Sequence, residues 1–174
     1  MAKLQIDRVA ELLSRTPVTV RSLVGGLPAE WTVSSDDEGN WAPFDVVGHL
    51  IHGEETDWIP RAEIILDQGD NRTFVPFDRV AQFASSSGKT LQDLLIEFER
   101  LRAENLAKLS SWNISDEDLD LKGMHPELGE VTLSQLIATW AVHDLNHIQQ
   151  LTKFLAGKYA AEVGPWTAYL SVLQ

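Results

Sequence analysis

Apolar residues recur at intervals of three and four through four separate segments of this chain, a spacing that admits little besides a bundle of amphipathic helices. The first segment carries Leu4, Val9, Leu12 and Leu13, then Thr16-Pro17, then Val18, Val20, Leu23 and Val24 before Gly25-Gly26. Thr before Pro is an N-cap and first-turn pair, which predicts that the helix restarts or kinks at Thr16. Residues 25 to 43 are polar and turn-rich and read as a connection. The second segment starts at Pro43 and carries Phe44, Val47, Ile51, Trp58, Ala62 and Ile65 to about Asp67, with a local kink expected at Pro60.

The stretch from Gln68 to Lys89, about 22 residues, is long for a connection inside a compact domain, and such stretches often carry function. Thr90 with Asp93 forms a capping box that opens a third helix through Leu91, Leu94, Leu95, Phe98, Leu101, Leu106 and Leu109. Thr132 with Gln135 opens a fourth, which runs to about Ala156 and stops at Gly157. Pro165 starts a short last helix through Leu173. Alternating strand patterns and Asn-Gly or Asp-Gly hairpin turns are missing, so the expected fold is all-α, without a sheet. At 174 residues, with no repeat and no linker, residues 1–174 read as one domain.

Composition removes several classes of function. Twenty-six acidic against 14 basic side chains give a formal charge of −12, which repels nucleic-acid phosphates and anionic membrane surfaces. No apolar run reaches the roughly 20 residues of a membrane span, and the first residues lack the apolar core of a secretion signal; a cytoplasmic protein is expected. Cysteine is absent, which excludes thiolate ligands and cysteine nucleophiles, so any metal must be held by His, Asp or Glu. Gly88-Lys89-Thr90 copies the end of a phosphate-binding loop, but Phe83 stands where its first glycine is needed and no strand precedes it.

On the fourth segment Leu133, Leu136, Trp140, Ile148, Leu151, Phe154 and Leu155 share one broad face, with His147 inside it and His143 at its edge. Two histidines at i, i+4 on an interior face have Cβ atoms roughly 6 Å apart and both reach one metal ion; the competing reading is a structural pair. Asp144 points into the same apolar face, where an unpaired carboxylate costs several kcal/mol. It is either an acceptor behind a metal-bound imidazole or the buried half of an ion pair with an arginine. A third ligand must come from His49, His52 or His125. His49 lies nearly opposite the apolar stripe of its helix, so periodicity alone reads it, like His52, as solvated, although Gly48 and Gly53 beside them permit close helix approach. His125 reads as a structural loop residue. Trp41, Trp58, Trp140 and Trp166 are candidates to line a pocket.

Trp41-Ala42-Pro43-Phe44-Asp45-Val46-Val47-Gly48-His49-Leu50, then His125-Pro126-Glu127-Leu128-Gly129, then Thr139-Trp140-Ala141-Val142-His143-Asp144-Leu145-Asn146-His147, in this order across four helices, resemble the DinB-like (DinB/YfiT) superfamily. The resemblance extends to Gly164-Pro165-Trp166. It implies a four-helix bundle of up-down-down-up order with a long crossover. It also implies a divalent metal ion, nickel or zinc, on one histidine of the second helix and two of the last; carried over, these are His49, His143 and His147, with His52 beside them.

Members of the family include S-transferases that use a low-molecular-weight thiol, a thiol-dependent isomerase and proteins without known activity, and many pair as homodimers. A metal-dependent thiol S-transferase acting on a small molecule is therefore the leading expectation, with Arg61, Arg72 and Arg79 as candidates to hold a charged thiol. A metal-dependent hydrolase, in which Asp144, Glu54 or Glu55 handles protons, is the alternative, and a non-catalytic stress-related binding protein the third. Pro165, Trp166, Tyr169, Leu170 and Leu173 supply an apolar face for a homodimer.

Overall fold

The protein is described by a computed structural model covering residues 3–33 and 41–174. Four long helical stretches form the bundle: α1 (Ile6–Val24), then, after the short α2 (Ala29–Thr32), α3 (Pro43–Thr56) continued by α4 (Trp58–Asp67), then, after the short α5 (Ala81–Ser85), α6 (Leu91–Ser111), and finally α7 (Leu133–Gly157). The connection expected over residues 25 to 43 contains α2, and its positions 34 to 40 lie outside the described residues. α3 packs on α6, α1 on both α6 and α7, and α4 on α7. None of the described helices is long and apolar enough to cross a membrane.

Both capping boxes form. Thr90 Oγ1 accepts from the Asp93 N–H at 3.2 Å while Asp93 accepts the Thr90 N–H at 2.9 Å, and Thr132 and Gln135 exchange the same pair of bonds. Gly88-Lys89-Thr90 is thus a helix entry. At α3 only half a box exists: Asp45 accepts the Ala42 N–H at 3.0 Å.

Two prolines behave differently from expectation. α1 runs through Pro17 without restarting, because the carbonyl of Leu13, which loses its helical donor at Pro17, accepts a bond from the Arg102 Nη1 at 2.8 Å. The second segment breaks at Asp57 (φ −108°, ψ −72°) and not at Pro60, which sits in the first turn of α4 where a missing N–H costs nothing.

The chain also holds a two-stranded antiparallel hairpin, which corrects the expectation of no sheet. β1 (Lys122–His125) pairs with β2 (Gly129–Thr132), with Gly123 opposite Val131 and His125 opposite Gly129. Its turn has Gly129 at φ +76°, where an L side chain is strained, so Pro126 to Gly129 does the work of the hairpin dipeptides the sequence lacks. The long crossover joins this hairpin: Met124 N–H donates to the Arg72 carbonyl at 2.8 Å and Phe74 N–H to the Met124 carbonyl at 2.9 Å. In place of a last helix from Pro165 to Leu173 stand one turn, α8 (Ala160–Val163), and two 3-10 turns, Gly164–Tyr169 and Ser171–Leu173, the second resting on α7.

Two apolar clusters fill the bundle, one around Leu13, Trp58, Leu133 and Trp140, the other around Val20, Leu50, Phe98 and Leu151. Arg102 lies between them, its Cζ 5.0 Å from the Phe98 ring and 5.2 Å from that of Trp140. It is 1 % exposed, and desolvation of that order is tolerated only with full pairing. The pairing is complete. Arg102 Nη1 donates to Asp144 Oδ2 at 2.6 Å and Nη2 to Asp144 Oδ1 at 3.1 Å, while Nε and Nη2 donate to Glu54 Oε1 at 3.1 and 2.7 Å. Trp140 Nε1 adds a bond to Glu54 Oε1 at 3.1 Å and Asn105 one to Glu54 Oε2 at 3.0 Å. Burial opposes the charge on Arg102, but the two carboxylates outweigh it and hold the guanidinium above its ordinary pKa.

Candidate metal centre

α3 and α7 bring three imidazoles together beside this charged core. His49, 94 residues before His143, has its Nε2 3.1 Å from His143 Nε2, and His147 Nε2 lies 3.0 Å from the same atom. The ligand atoms of the three all lie within 4.8 Å of one another. His49 and His147 are each 7 % exposed.

Nearly opposite the apolar stripe, His49 is nonetheless buried, because α3 is covered twice: α6 takes one face and α5 with the crossover takes another. A Cβ on Gly48 would stand 2.5 Å from Ser86 Oγ, so glycine here leaves room for the Ser86 hydroxyl at the end of α5. Phe77 of the crossover meets the His49 ring edge-on at 5.4 Å. Trp41 stacks parallel to His147 at 6.4 Å and tilts over His49 at 4.8 Å, and Trp58 meets His143 at 5.1 Å.

Enclosure sets the charge state. Burial, followed by repulsion from the neighbouring histidines, pushes His49 and His143 down to about 3, with Arg79 adding to the effect on His49 and Arg102 to that on His143. Burial lowers His147 as well, against the opposing pull of Gln150 and Asp144. At neutral pH the three rings are neutral and carry lone pairs.

His147 Nδ1 lies 2.8 Å from Gln150 Oε1, which places the ring hydrogen on Nδ1 and leaves the Nε2 lone pair for the centre. The Nδ1 atoms of His49 and His143 are buried without a partner among the described residues. Three Nε2 atoms packed this closely cannot satisfy one another, since each neutral ring offers Nε2 as one donor or one acceptor; a shared cation resolves the conflict. The donor set therefore fits a divalent metal with imidazole affinity, such as zinc or nickel, and leaves room for further ligands.

A cavity of about 740 Å³ opens onto these rings, large enough for a small organic molecule. Its walls are mostly apolar, with Trp41, Trp58, Phe74 and Phe77 the largest side chains, and Arg61, Arg79, Asp57, Glu127 and His125 the ionisable ones besides the triad.

The remaining candidates separate clearly. Asp144 and Glu54 lie in the Arg102 cluster, and Asp144 makes no hydrogen bond to an imidazole among the described residues. Glu55 and Arg72 are exposed and lie off the cavity lining, whereas Arg61 and Arg79 are on it. His52 sits outside the triad with its Nε2 3.4 Å from the Thr56 hydroxyl and its ring 4.8 Å from Phe77. His125 closes β1 and lines the cavity. Trp140 is buried behind the triad, while Trp166 is 70 % exposed. Sequence reasoning missed Arg102 and Gln150. Arg102 had a signal, because it falls at a core position of the third stripe, four residues after Phe98 and seven before Leu109; Gln150 had one only in standing three residues beyond His147.

The chain matches the family model of the DinB superfamily over residues 12–151. No curated protein matches it. Among solved structures it is similar to YfiT from Bacillus subtilis, described as "a probable metal-dependent hydrolase with an unusual four-helix bundle topology". The two are 19 % identical, with 91 % of this chain and 90 % of that one covered and a TM-score of 0.73. A family match across most of the length, on a four-helix bundle of this shape, places this chain in the DinB superfamily.

Proposed function

We propose that this protein is a metal-dependent thiol S-transferase, with a divalent metal ion held by Nε2 of His49, His143 and His147 and a small electrophile bound in the adjoining cavity. A bound divalent ion supplies Lewis acidity, which lowers the pKa of a thiol or water beside it. The observation that favours a thiol is the state of the nearby carboxylates. Among the described residues Glu54 and Asp144 are committed to Arg102 and Asp57 to Arg61, so of the carboxylates buried near the triad or on the cavity lining only the exposed Glu127 has no ion pair. A thiol, ordinarily near pKa 8.5, needs far less help than water to lose its proton. In the transfer a carbon–sulfur bond forms, the bond from carbon to its leaving group breaks, and the thiol proton passes to solvent. With no cysteine in the chain, the thiol arrives as a cosubstrate.

The residues of the chain do the arranging. Neutral imidazoles offer lone pairs, Gln150 orients His147, and Trp41, Trp58 and Phe77 limit water around the centre. Asp144 acts through Arg102 as a positioning residue that holds α7 against α3 and α6. A metal-dependent hydrolase is the second reading, favoured by the description of YfiT. The test is conjugate formation between monochlorobimane and each of several thiols, alongside ester hydrolysis, in metal-stripped and in zinc- or nickel-loaded protein. Metal-dependent conjugation with one thiol supports the transferase; metal-dependent ester cleavage without conjugation replaces it by the hydrolase.

A further inference from the structure

The cavity has a second polar region besides the triad, built on α4, the crossover and the hairpin. Arg61 is 7 % exposed, and its Nε lies 2.5 Å from Asp57 Oδ1, at an angle that makes the contact ionic rather than a hydrogen bond. The terminal edge of the guanidinium is nearly unused: among the described residues its only bond is a long one, from Nη2 to the Val75 carbonyl at 3.5 Å. Its Cζ lies over the Phe74 ring, 5.2 Å from the centroid.

His125 meets the same Phe74 ring edge-on at 6.3 Å. Its Nδ1 accepts the backbone N–H groups of Glu127 at 3.1 Å and Leu128 at 3.2 Å. The turn therefore fixes the tautomer, and the ring hydrogen sits on Nε2 as a donor. Burial, and then the Arg61 cation, hold His125 below its ordinary pKa, so it is a neutral donor at pH 7. Arg79, also on the lining, is exposed and has no ion pair among the described residues.

We propose that Arg61, assisted by His125 and Arg79, forms a carboxylate-binding subsite, and that the substrate is an apolar molecule of aromatic bulk carrying one carboxylate. A buried guanidinium with one edge on a counter-ion and its terminal edge open accepts a carboxylate in the paired geometry that a lysine cannot reproduce. Asp57 offsets the cost of burying the cation when the cavity is empty. The same Asp57, with Glu127 on the lining, disfavours a dianion such as phosphate, while the apolar walls suit the body of the ligand.

This inference rests on the reading of the cavity as the substrate site, and its test is calorimetric titration of metal-free protein with 4-phenylbutyrate, 4-phenylbutanol and 4-phenylbutylamine. Charge-assisted bonding predicts that the acid binds at least about tenfold more tightly than the alcohol, and the amine no more tightly than the alcohol. Arg61→Lys keeps a cation beside Asp57 but removes the fork, and His125→Phe keeps a ring against Phe74 but removes the Nε2 donor, along with the Nδ1 acceptor of the turn. Each brings acid and alcohol to within about threefold, with alcohol binding unchanged as the control for an intact cavity. If Arg61→Lys fails to fold, His125→Phe with Arg79→Gln decides by the same ratio.

Equal binding of acid and alcohol, absence of binding by either, tighter binding of the amine, or an unchanged ratio in the variants overturns the subsite. Parallel zinc titration separates this failure from that of the metal reading. A preference for the acid that appears only after zinc is added places the carboxylate at the triad and ends the proposal, with the metal centre intact. A preference that persists in protein that takes up no zinc leaves the subsite standing alone.

Discussion

Pro17 and Arg102, 85 residues apart, are joined through one carbonyl: Pro17 cannot donate to Leu13, and the Arg102 Nη1 donates to it instead, at 2.8 Å. The guanidinium that repairs α1 is the one that binds Glu54 on α3 and Asp144 on α7, so three of the four long stretches converge on a single α6 side chain. Arg102→Met leaves two buried carboxylates unpaired and is expected to destabilise the protein by about 3–5 kcal/mol, read by chemical denaturation. A loss below about 1 kcal/mol would mean that the carboxylates find other partners.

Asp144→Asn separates structure from chemistry. Both carboxylate oxygens are bonded to Arg102, so the variant is expected to melt at a lower temperature yet still bind one metal ion per chain. Loss of metal binding in a variant that still folds would give Asp144 a direct part at the centre.

Acid acts on the metal-free protein through the triad. His49 and His143 titrate near 3 in the folded chain and near 6.5 when unfolded, so between these values the unfolded state binds two more protons. Stability is therefore full above about pH 6.5 and falls as the pH drops toward 3. Denaturation midpoints across this range should show the fall, and the double variant His49→Ala, His143→Ala should flatten it.

Gln150 fixes the tautomer of His147, and Gln150→Leu is expected to weaken metal binding by about 10- to 100-fold without abolishing it. Competition with a chelator of known affinity measures this; unchanged affinity would remove Gln150 from the centre.

Trp166 and Tyr169 stand 70 % and 82 % exposed at the C-terminal end, an apolar face of the kind that docks on a second copy. Light scattering at micromolar concentration is expected to return about twice 19.4 kDa, and Trp166→Ser with Tyr169→Ser to return a monomer. A wild-type mass of one chain would remove the homodimer.

What was legible in the sequence was local. The stripes, the capping boxes at Thr90 and Thr132 and the i, i+4 pair on α7 depend on neighbours within a few residues, and the fold class followed from them. His49 was not legible from periodicity, because its burial depends on α5 and Phe77, which reach α3 only through the long crossover. The hairpin escaped because its strands have four residues each, too short for alternation to show, and its turn uses Gly129 in place of a familiar dipeptide. For Asp144 the sequence left two partners open, a metal-bound imidazole or an arginine, and selecting Arg102 needed the packing of α6 against α3.

The most direct test of the metal centre is metal content after equilibrium dialysis against zinc or nickel, measured by elemental analysis for the wild type and for single alanine variants of His49, His143, His147 and His125. The account predicts one ion per chain in the wild type and in His125→Ala, and none in the three triad variants that remain folded. Retention of a full equivalent by all three triad variants, or its loss in His125→Ala alone, would contradict it.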